Sequence, residues 1–223
     1  MTILNPNIEI LYEDKSIIAA NKPEGLASIS ENDVAIETLH SILERKYSQK
    51  LFIVHRLDKE VSGVIIYVRN SLIHKYLNQQ FSERKVLKSY IALVHGIIKE
   101  NTGLIDKPIK EFGSGRMGVD KKGKPSSTAI KVLHRYENFT LIELNPTTGR
   151  RHQLRVHLYA VGHPIVGDVR YGDKKQQMQF PRLMLHAKSI GFKLSHDKKV
   201  FIEAPLQVSF ITALKEIPNV NNK

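Results

Sequence analysis

The apolar run Val64-Ile65-Ile66-Tyr67-Val68, with the stretch His55-Arg56-Leu57-Asp58-Lys59-Glu60-Val61-Ser62-Gly63 that feeds it, constrains this chain more than any other segment. A run so rich in β-branched side chains packs as a strand, and the residues before it read as the turn that leads in. Asp58 is the only acidic residue between Leu51 and Lys59, and Arg56 stands close beside it. A neighbouring guanidinium favours the ionised carboxylate, and a strand edge is a rigid place to hold a reactive group. A nucleophilic or base-type aspartate needs both at neutral pH. The competing reading is a plain turn residue.

The rest of the chain follows the same alternation of strand and helix. Ile8, Ile10 and Tyr12 alternate, Ile17-Ile18-Ala19-Ala20 is a buried-strand run, and Glu13-Asp14-Lys15 joins the two. Helical spacing of Ile36, Leu39, Ile42, Leu43 and Tyr47 predicts a helix from Val34 to Tyr47 with Asp33 as its cap. Phe52 to Val54 is a short strand, and a second helix runs from Ser71 to about Glu83, with Ile73, Tyr76, Leu77 and Phe81 on its inner face. Strands are expected at Lys88 to His95, Ser127 to Tyr136 and Phe139 to Leu144. A helix at Arg150 to Val161 is capped by Thr147 or Thr148 and ended by Gly162 and Pro164. Strands at Ser189 to Leu194 and Val200 to Ile202 precede a helix from Val208 to Lys215, and the tail from Pro218 is polar and frayed. The sum is an α+β fold, a mixed and largely antiparallel sheet flanked by helices and loops. Neither a repeat nor a linker divides it, so residues 1–223 read as a single domain with a core of about 8–215.

Charge narrows the partners. Thirty-four Lys and Arg against 22 Asp and Glu give a net charge of +12, which attracts polyanions such as nucleic acid or an acidic membrane surface. Lys107 to Lys124 carries six Lys or Arg and few large apolar residues, and reads as an exposed basic loop or β-ribbon with Lys121 and Lys122 available to RNA. Cysteine is absent, which removes disulfides, Cys-ligated zinc, iron–sulfur clusters and thiolate nucleophiles. Met1 to Asn7 has no basic and apolar leader pattern, and no apolar run reaches bilayer length. A soluble cytoplasmic protein is expected, with no membrane contact.

Other candidates for chemistry are fewer. Arg151 and Arg155 are four apart, so on a helix they share a face opposite Leu154 and Leu158, where two guanidiniums suit a phosphate or carboxylate. A solvated basic face is the bland reading. His152 and His157 are five apart, not the four of a helical metal pair, so no metal site is expected. Tyr90 follows basic residues on a strand and can stack on a base or face the core. Gly113-x-Gly115-x-x-Gly118 matches half of a phosphate-binding pattern but follows no strand of a βαβ unit, and no dinucleotide or Walker loop appears.

Taken together, these segments resemble the RluA-type RNA pseudouridine synthases. The resemblance rests on His55-Arg56-Leu57-Asp58-x-x-x-Ser62-Gly63 and on Thr148-Gly149-Arg150-x-His152-Gln153-Leu154-Arg155-Val156-His157, which continues through Gly162-His163-Pro164-Ile165-Val166-Gly167-Asp168 to Tyr171-Gly172. Lys22-Pro23-x-Gly25-Leu26, Lys88-x-Tyr90-x-Ala92-x-Val94-x-Gly96 and Leu183-x-Leu185-His186-Ala187 fall in the expected order. Val61 and Arg151 stand where Thr is usual, and neither change removes a side chain the chemistry is thought to need. The family's separate N-terminal RNA-binding module is expected to be missing, since the first catalytic-domain strand begins near Met1.

The resemblance implies a cofactor-free isomerisation of uridine to pseudouridine within ribosomal or transfer RNA, and a monomer is the simpler expectation for the chain that performs it. The uracil is cut from the ribose, turned and rejoined through a ring carbon, which needs no redox group or energy donor. It implies Asp58 as the carboxylate that attacks the sugar or abstracts its proton, with Arg155 paired to it and Tyr90 stacked on the flipped uracil and handling a proton. Arg56 fills the gap left by the extruded nucleotide or binds its phosphate. His55, which can also brace the Asp58 turn, joins Arg150 and Arg151 among the expected RNA contacts, and Leu185 packs under the base. Two other classes compete: a non-catalytic RNA-binding or ribosome-assembly protein of the same fold, and a carboxylate-dependent glycosidase, which would want a second acidic partner.

Overall fold

The computed structural model describes residues 8–30, 37–195 and 198–216. From the N-terminus come β1 (Ile10–Glu13), β2 (Ile17–Lys22), α1 (Leu39–Tyr47), β3 (Phe52–Ile53), β4 (Ser62–Val68) and α2 (Ser71–Ser82). The middle holds β5 (Leu87–His95), β6 (Thr102–Asp106), β7 (Ile109–Glu111), β8 (Met117–Val119), β9 (Ser127–Arg135) and β10 (Phe139–Pro146). The chain ends with α3 (Gln153–Ala160), α4 (Lys174–Gln177), β11 (Leu185–Lys193), β12 (Lys199–Glu203) and α5 (Val208–Glu216). The expected fold class holds: largely antiparallel strand pairing flanked by helices. The chain divides into two compact units, one up to Val86 with Ala187–Pro205, the other Leu87–His186 with the chain from Leu206 onward.

In the first unit, β1, β2 and β4 lie side by side with β11 next to β4, β12 on β11, and β3 on β4. Every residue of β2 and of β4 is buried, so their apolar parts, residues 17–20 and 64–68, run unbroken instead of alternating. Their antiparallel register sets Lys22 opposite Gly63 and Ala20 opposite Ile65. Gly63 has a φ of +114°, and a Cβ there would lie 2.2 Å from the Ala187 carbonyl oxygen. Only glycine allows that close passage of two backbones. At the far end, Gln80 of α2 holds the end of β11, its amide donating to the Lys193 carbonyl at 2.7 Å and accepting the Lys193 N–H at 2.9 Å.

Helix α1 starts later than its apolar spacing predicts. Thr38 is extended, with φ −125° and ψ 161°, and caps the helix through a reciprocal box with Ser41. An extended residue ends any helix running through it, so α1 begins at Leu39. The expected cap at Asp33 lies outside the described residues, as does the tail from Pro218. Leu39, Ile42 and Leu43 form the buried face, as the spacing predicted.

The second unit is built on the antiparallel order β5-β10-β9-β6, with β7 and β8 paired as a separate two-stranded ribbon. Strand β6 has no apolar alternation and was not expected. It is an edge strand whose only buried residue is Ile105, and its pairing comes from β9. Helix α3 begins at Gln153 and not Arg150, because His152 adopts a left-handed conformation with φ 54° and ψ 21°. Neither Thr147 nor Thr148 caps it. The Thr148 hydroxyl donates instead to the Gln153 side chain at 2.7 Å. The short α4 was also unexpected, and β11 starts four residues earlier than its predicted beginning at Ser189. No helix among the described residues is long and apolar enough to cross a membrane.

Candidate active site

The loop that carries Asp58 lies between β3 and β4 and belongs to neither strand. Its shape is fixed from beneath. The Ser28 hydroxyl donates to the Leu57 carbonyl at 2.7 Å and accepts the Leu57 N–H at 3.1 Å, so both backbone polar groups of the preceding residue end on one side chain. After Asp58 the chain turns, with the Val61 N–H on the Asp58 carbonyl at 3.1 Å. The Lys59 carbonyl accepts from Gly25 N at 2.9 Å and from the Lys22 ammonium at 3.1 Å.

Lys22 is the less obvious part of this arrangement. Its side chain is 0% exposed, and its ammonium also donates to the carbonyls of Pro23 at 2.8 Å and Leu26 at 2.7 Å. A lysine is seldom buried so fully unless its charge and donors are matched, and here three carbonyls match its three donors. The motif Lys22-Pro23-x-Gly25-Leu26 thus acts as a clamp that ties the end of β2 to the Asp58 turn. Asp58 itself is half-buried and Arg56 is exposed. His55 accepts the Ile66 N–H at 3.0 Å through Nε2 and stacks on Phe81 with ring centroids 5.3 Å apart. That nitrogen serves β4.

The other expected residues lie in the second unit. Tyr90 is half-buried on β5, opposite Leu144 in register. Arg155 is 5% exposed and forms a two-pronged ion pair with Asp168, which is 1% exposed. Nε donates to Oδ2 and Nη2 to Oδ1, each at 2.8 Å. Oδ1 also accepts the backbone N–H groups of Arg170 at 3.0 Å and Tyr171 at 3.1 Å, so Asp168 is held by its own turn. The Arg155 guanidinium lies over the ring of Tyr171, 5.3 Å from its centroid. Tyr171 is buried, and its hydroxyl accepts the Met117 N–H at 3.2 Å and meets His152 Nδ1 at 2.8 Å.

This geometry corrects the expectation of a shared arginine face. His152 breaks the helical path between Arg151 and Arg155, so the two guanidiniums go to different partners. Arg151 is exposed and pairs with Glu111 of the ribbon at 2.9 Å, whereas Arg155 is internal. Arg150 is half-buried, with its Nε lacking a partner and its Nη2 at 3.5 Å from the Pro125 carbonyl. Leu185 is 3% exposed, so it offers packing surface and not a polar contact.

Lys121 and Lys122 occupy the tip of a tight turn closed by Gly123 N on the Asp120 carbonyl at 2.8 Å, and both are exposed. The root of the ribbon is anchored by His157, which is 0% exposed and meets the Lys107 carbonyl at 2.9 Å and the Thr128 hydroxyl at 3.0 Å. Burial pushes the His157 pKa below the usual histidine value, leaving the neutral ring that such a structural position calls for.

Spacing alone did not single out Asp168, Gln153 or the roles of Lys22 and Ser28. The signal for Asp168 was present in the Gly167-Asp168…Tyr171 sequence. Gln153 does the work of the missing cap: its Oε1 accepts the Thr148 hydroxyl and Arg150 N, and its Nε2 donates to the Ser127 carbonyl and the Thr128 hydroxyl. Among the described residues, no group of three or more His, Asp or Glu is placed to hold a metal ion.

A family model described as RNA pseudouridylate synthase matches residues 16–160. The chain is 38% identical to the ribosomal large subunit pseudouridine synthase C of Buchnera aphidicola subsp. Baizongia pistaciae, over 95% of this chain and 71% of that protein. It is 35% identical to an uncharacterized RNA pseudouridine synthase of Zymomonas mobilis, over 90% of this chain and 94% of that one. Among solved structures, human RNA pseudouridylate synthase domain containing 1 superposes with a TM-score of 0.79 at 27% identity, covering 98% of this chain and 99% of that one. Human RNA pseudouridylate synthase domain containing 4 gives a TM-score of 0.77 at 25% identity, covering 92% and 91%.

Proposed function

The chain belongs to the RNA pseudouridylate synthase family and is an RNA pseudouridine synthase, and from that premise we propose that it acts on ribosomal RNA with Asp58 as its reactive carboxylate. The reaction is an isomerisation. The bond from the ribose to the ring nitrogen of uracil breaks, the base turns, and a bond from the ribose to a ring carbon forms. That carbon gives up a proton and the freed nitrogen gains one, so atoms and electrons balance without an oxidant or a donor.

The observation that carries the assignment is the hold on the Asp58 loop. Lys22 and Ser28 together bond the carbonyl and N–H groups of Leu57 and the carbonyl of Lys59, on either side of Asp58. A carboxylate that must meet one carbon of a flipped nucleotide gains from a backbone fixed in advance. Arg56, exposed beside it, is proposed to bind the RNA where the nucleotide leaves the stack. His55 positions the loop through its bond to β4. Tyr90 is proposed to stack on the uracil and move a proton, and Arg155 to supply a fixed positive charge whose direction Asp168 sets. Arg150, Arg151, Lys121 and Lys122 are proposed as contacts to the RNA backbone, and Leu185 as packing beneath the base.

Ribosomal RNA is favoured over transfer RNA because relatives sharing 35–38% identity carry ribosomal large subunit names. We take the acting unit to be one cofactor-free chain in the cytoplasm, with its two compact units working as a single catalytic domain. The family match supports the last point, since it runs from residue 16 in one unit to residue 160 in the other. Mapping pseudouridine across total RNA from cells with and without the protein tests the reading. Loss of a site in large-subunit ribosomal RNA is expected. Loss confined to transfer RNA would overturn the substrate, and an unchanged map would overturn the function.

A further inference from the structure

We infer that Lys88 is a phosphate-binding residue of the RNA site, its ammonium taking an oxygen of a backbone phosphate next to the nucleotide that meets Tyr90. The inference rests on the proposed role of Tyr90 and extends it to a residue two positions earlier on the same strand. Residues two apart on a strand share a face. Along the first part of β5, Lys88 and Tyr90 are half-buried while Ser89 and Ile91, on the other face, are buried.

The argument starts from how poorly the Lys88 charge is matched. An ammonium has three donors. Among the described residues, the one polar partner of the Lys88 ammonium is the Thr148 carbonyl, at 3.2 Å, and no carboxylate pairs with it. Lys22 shows what a structural lysine looks like in this same chain: it is fully buried, with three carbonyls at 2.7, 2.8 and 3.1 Å. Lys88 is desolvated without that compensation, and burial lowers its pKa below the usual lysine value. Such a group gains much from an arriving anion, since a phosphate supplies the charge and acceptors that the protein withholds.

The surroundings leave room for it. Residue 149, next to the carbonyl that Lys88 touches, is glycine, and a Cβ there would lie 3.8 Å from the Lys88 Nζ. No side chain therefore covers the amine from that position. Arg150 follows directly, its buried Nε also lacking a partner, so the Thr148-Gly149-Arg150 turn has two incompletely bonded cations at its borders. A lysine that merely propped up this turn would account for the Thr148 bond but not for the remaining donors.

Binding of an in vitro transcript of large-subunit ribosomal RNA, measured between 50 and 200 mM salt (about the range over which phosphate contacts are lost), tests the inference. Lys88→Gln should weaken binding and flatten the log–log salt slope by about 0.7, the share of one phosphate on a single strand. Lys88→Arg should keep the wild-type slope, and both variants should melt close to wild type. An unchanged slope in Lys88→Gln, or an equal loss in Lys88→Arg with a lowered melting temperature, would assign the residue to the turn and overturn the proposal. In the wild-type protein, NMR titration of the Lys88 ε-methylene should give a higher pKa with the transcript bound than without. No rise would also overturn it. Neither measurement reads product, so failure of this inference is distinguishable from failure of the reading it rests on, which an isomerase assay tests.

Discussion

Two parallel hydrogen bonds of 2.8 Å join Arg155 to Asp168, the arginine 5% and the aspartate 1% exposed. A buried pair of this kind is weak evidence of net stability, but removing one partner strands the other's charge away from water. Asp168→Ala should therefore cost about 3–5 kcal/mol in urea unfolding. Arg155→Ala in the same background should cost far less than it does alone, because the stranded charge is already gone. Additive losses in the double-mutant cycle would show that the two side chains do not depend on each other.

Asp58→Asn keeps the shape of the side chain and removes its charge. Binding to the ribosomal RNA transcript should stay within about twofold of wild type while product formation falls by at least about a thousandfold, the pattern of a group used only in the chemical step. Measured turnover near wild type in a gel-based pseudouridine assay would remove Asp58 from the mechanism.

The turn that follows β8 makes a separate prediction. Lys121 and Lys122 are exposed at a turn that Asp120 and Gly123 shape through the backbone, so replacing both by Ala leaves the turn its own bonds. The melting temperature should hold. The salt slope of RNA binding should flatten by about 1.4, two contacts at about 0.7 each. A slope equal to wild type would place the RNA away from this turn.

Asp14 sets a pH dependence. Burial raises its pKa, but the Lys198 ammonium, the Ser16 N–H, the Tyr12 hydroxyl and the Ile17 N–H together outweigh that and hold it at about 2. An unfolded aspartate titrates near 3.9. The folded state thus resists protonation, and the stabilisation is complete above the unfolded value and lost as pH falls through about 2. Asp14→Asn should melt below wild type at pH 7, and the gap should close as pH drops from about 4 towards about 2. A gap that persists at the acid end would mean the residue acts through shape and not charge.

Gly63→Ala should be the most damaging conservative change in the signature segment. The added methyl meets backbone atoms of Ala187 at 2.2 and 2.6 Å, which no rotamer can relieve. Loss of soluble folded protein, or a fall in stability above about 4 kcal/mol, is expected. Full stability on purification would show that β4 and β11 can separate.

Much of this was readable before any coordinates. The strands β2 and β4 follow from unbroken apolar runs, and α2 from helical spacing, because burial on one or two faces writes itself into the order of side chains. Helix α3 was legible in existence but not in its start. Its beginning depends on the left-handed backbone of His152 and on the four bonds of Gln153, which join residues from Ser127 to Arg150. Strand β6 escaped because an edge strand takes its order from a neighbour and not from its own pattern. At the site, Asp58 and Tyr90 stood out by type and place. Asp168 and Lys22 did not, since a carboxylate and an ammonium look solvent-facing until the partners that bury them are known.

The double hold of Ser28 and Lys22 bears on how the loop before β4 exchanges with solvent. A segment outside helix and strand ordinarily gives up its amide protons to deuterium quickly. Here the amides of Gly25, Leu57 and Val61 all donate to protein acceptors, and Leu39 and His40 donate to the carbonyls of Ala27 and Ser28. Deuterium should therefore enter these positions as slowly as it enters the edges of the neighbouring sheet, and a loop that looks irregular should behave as part of the slow-exchanging core.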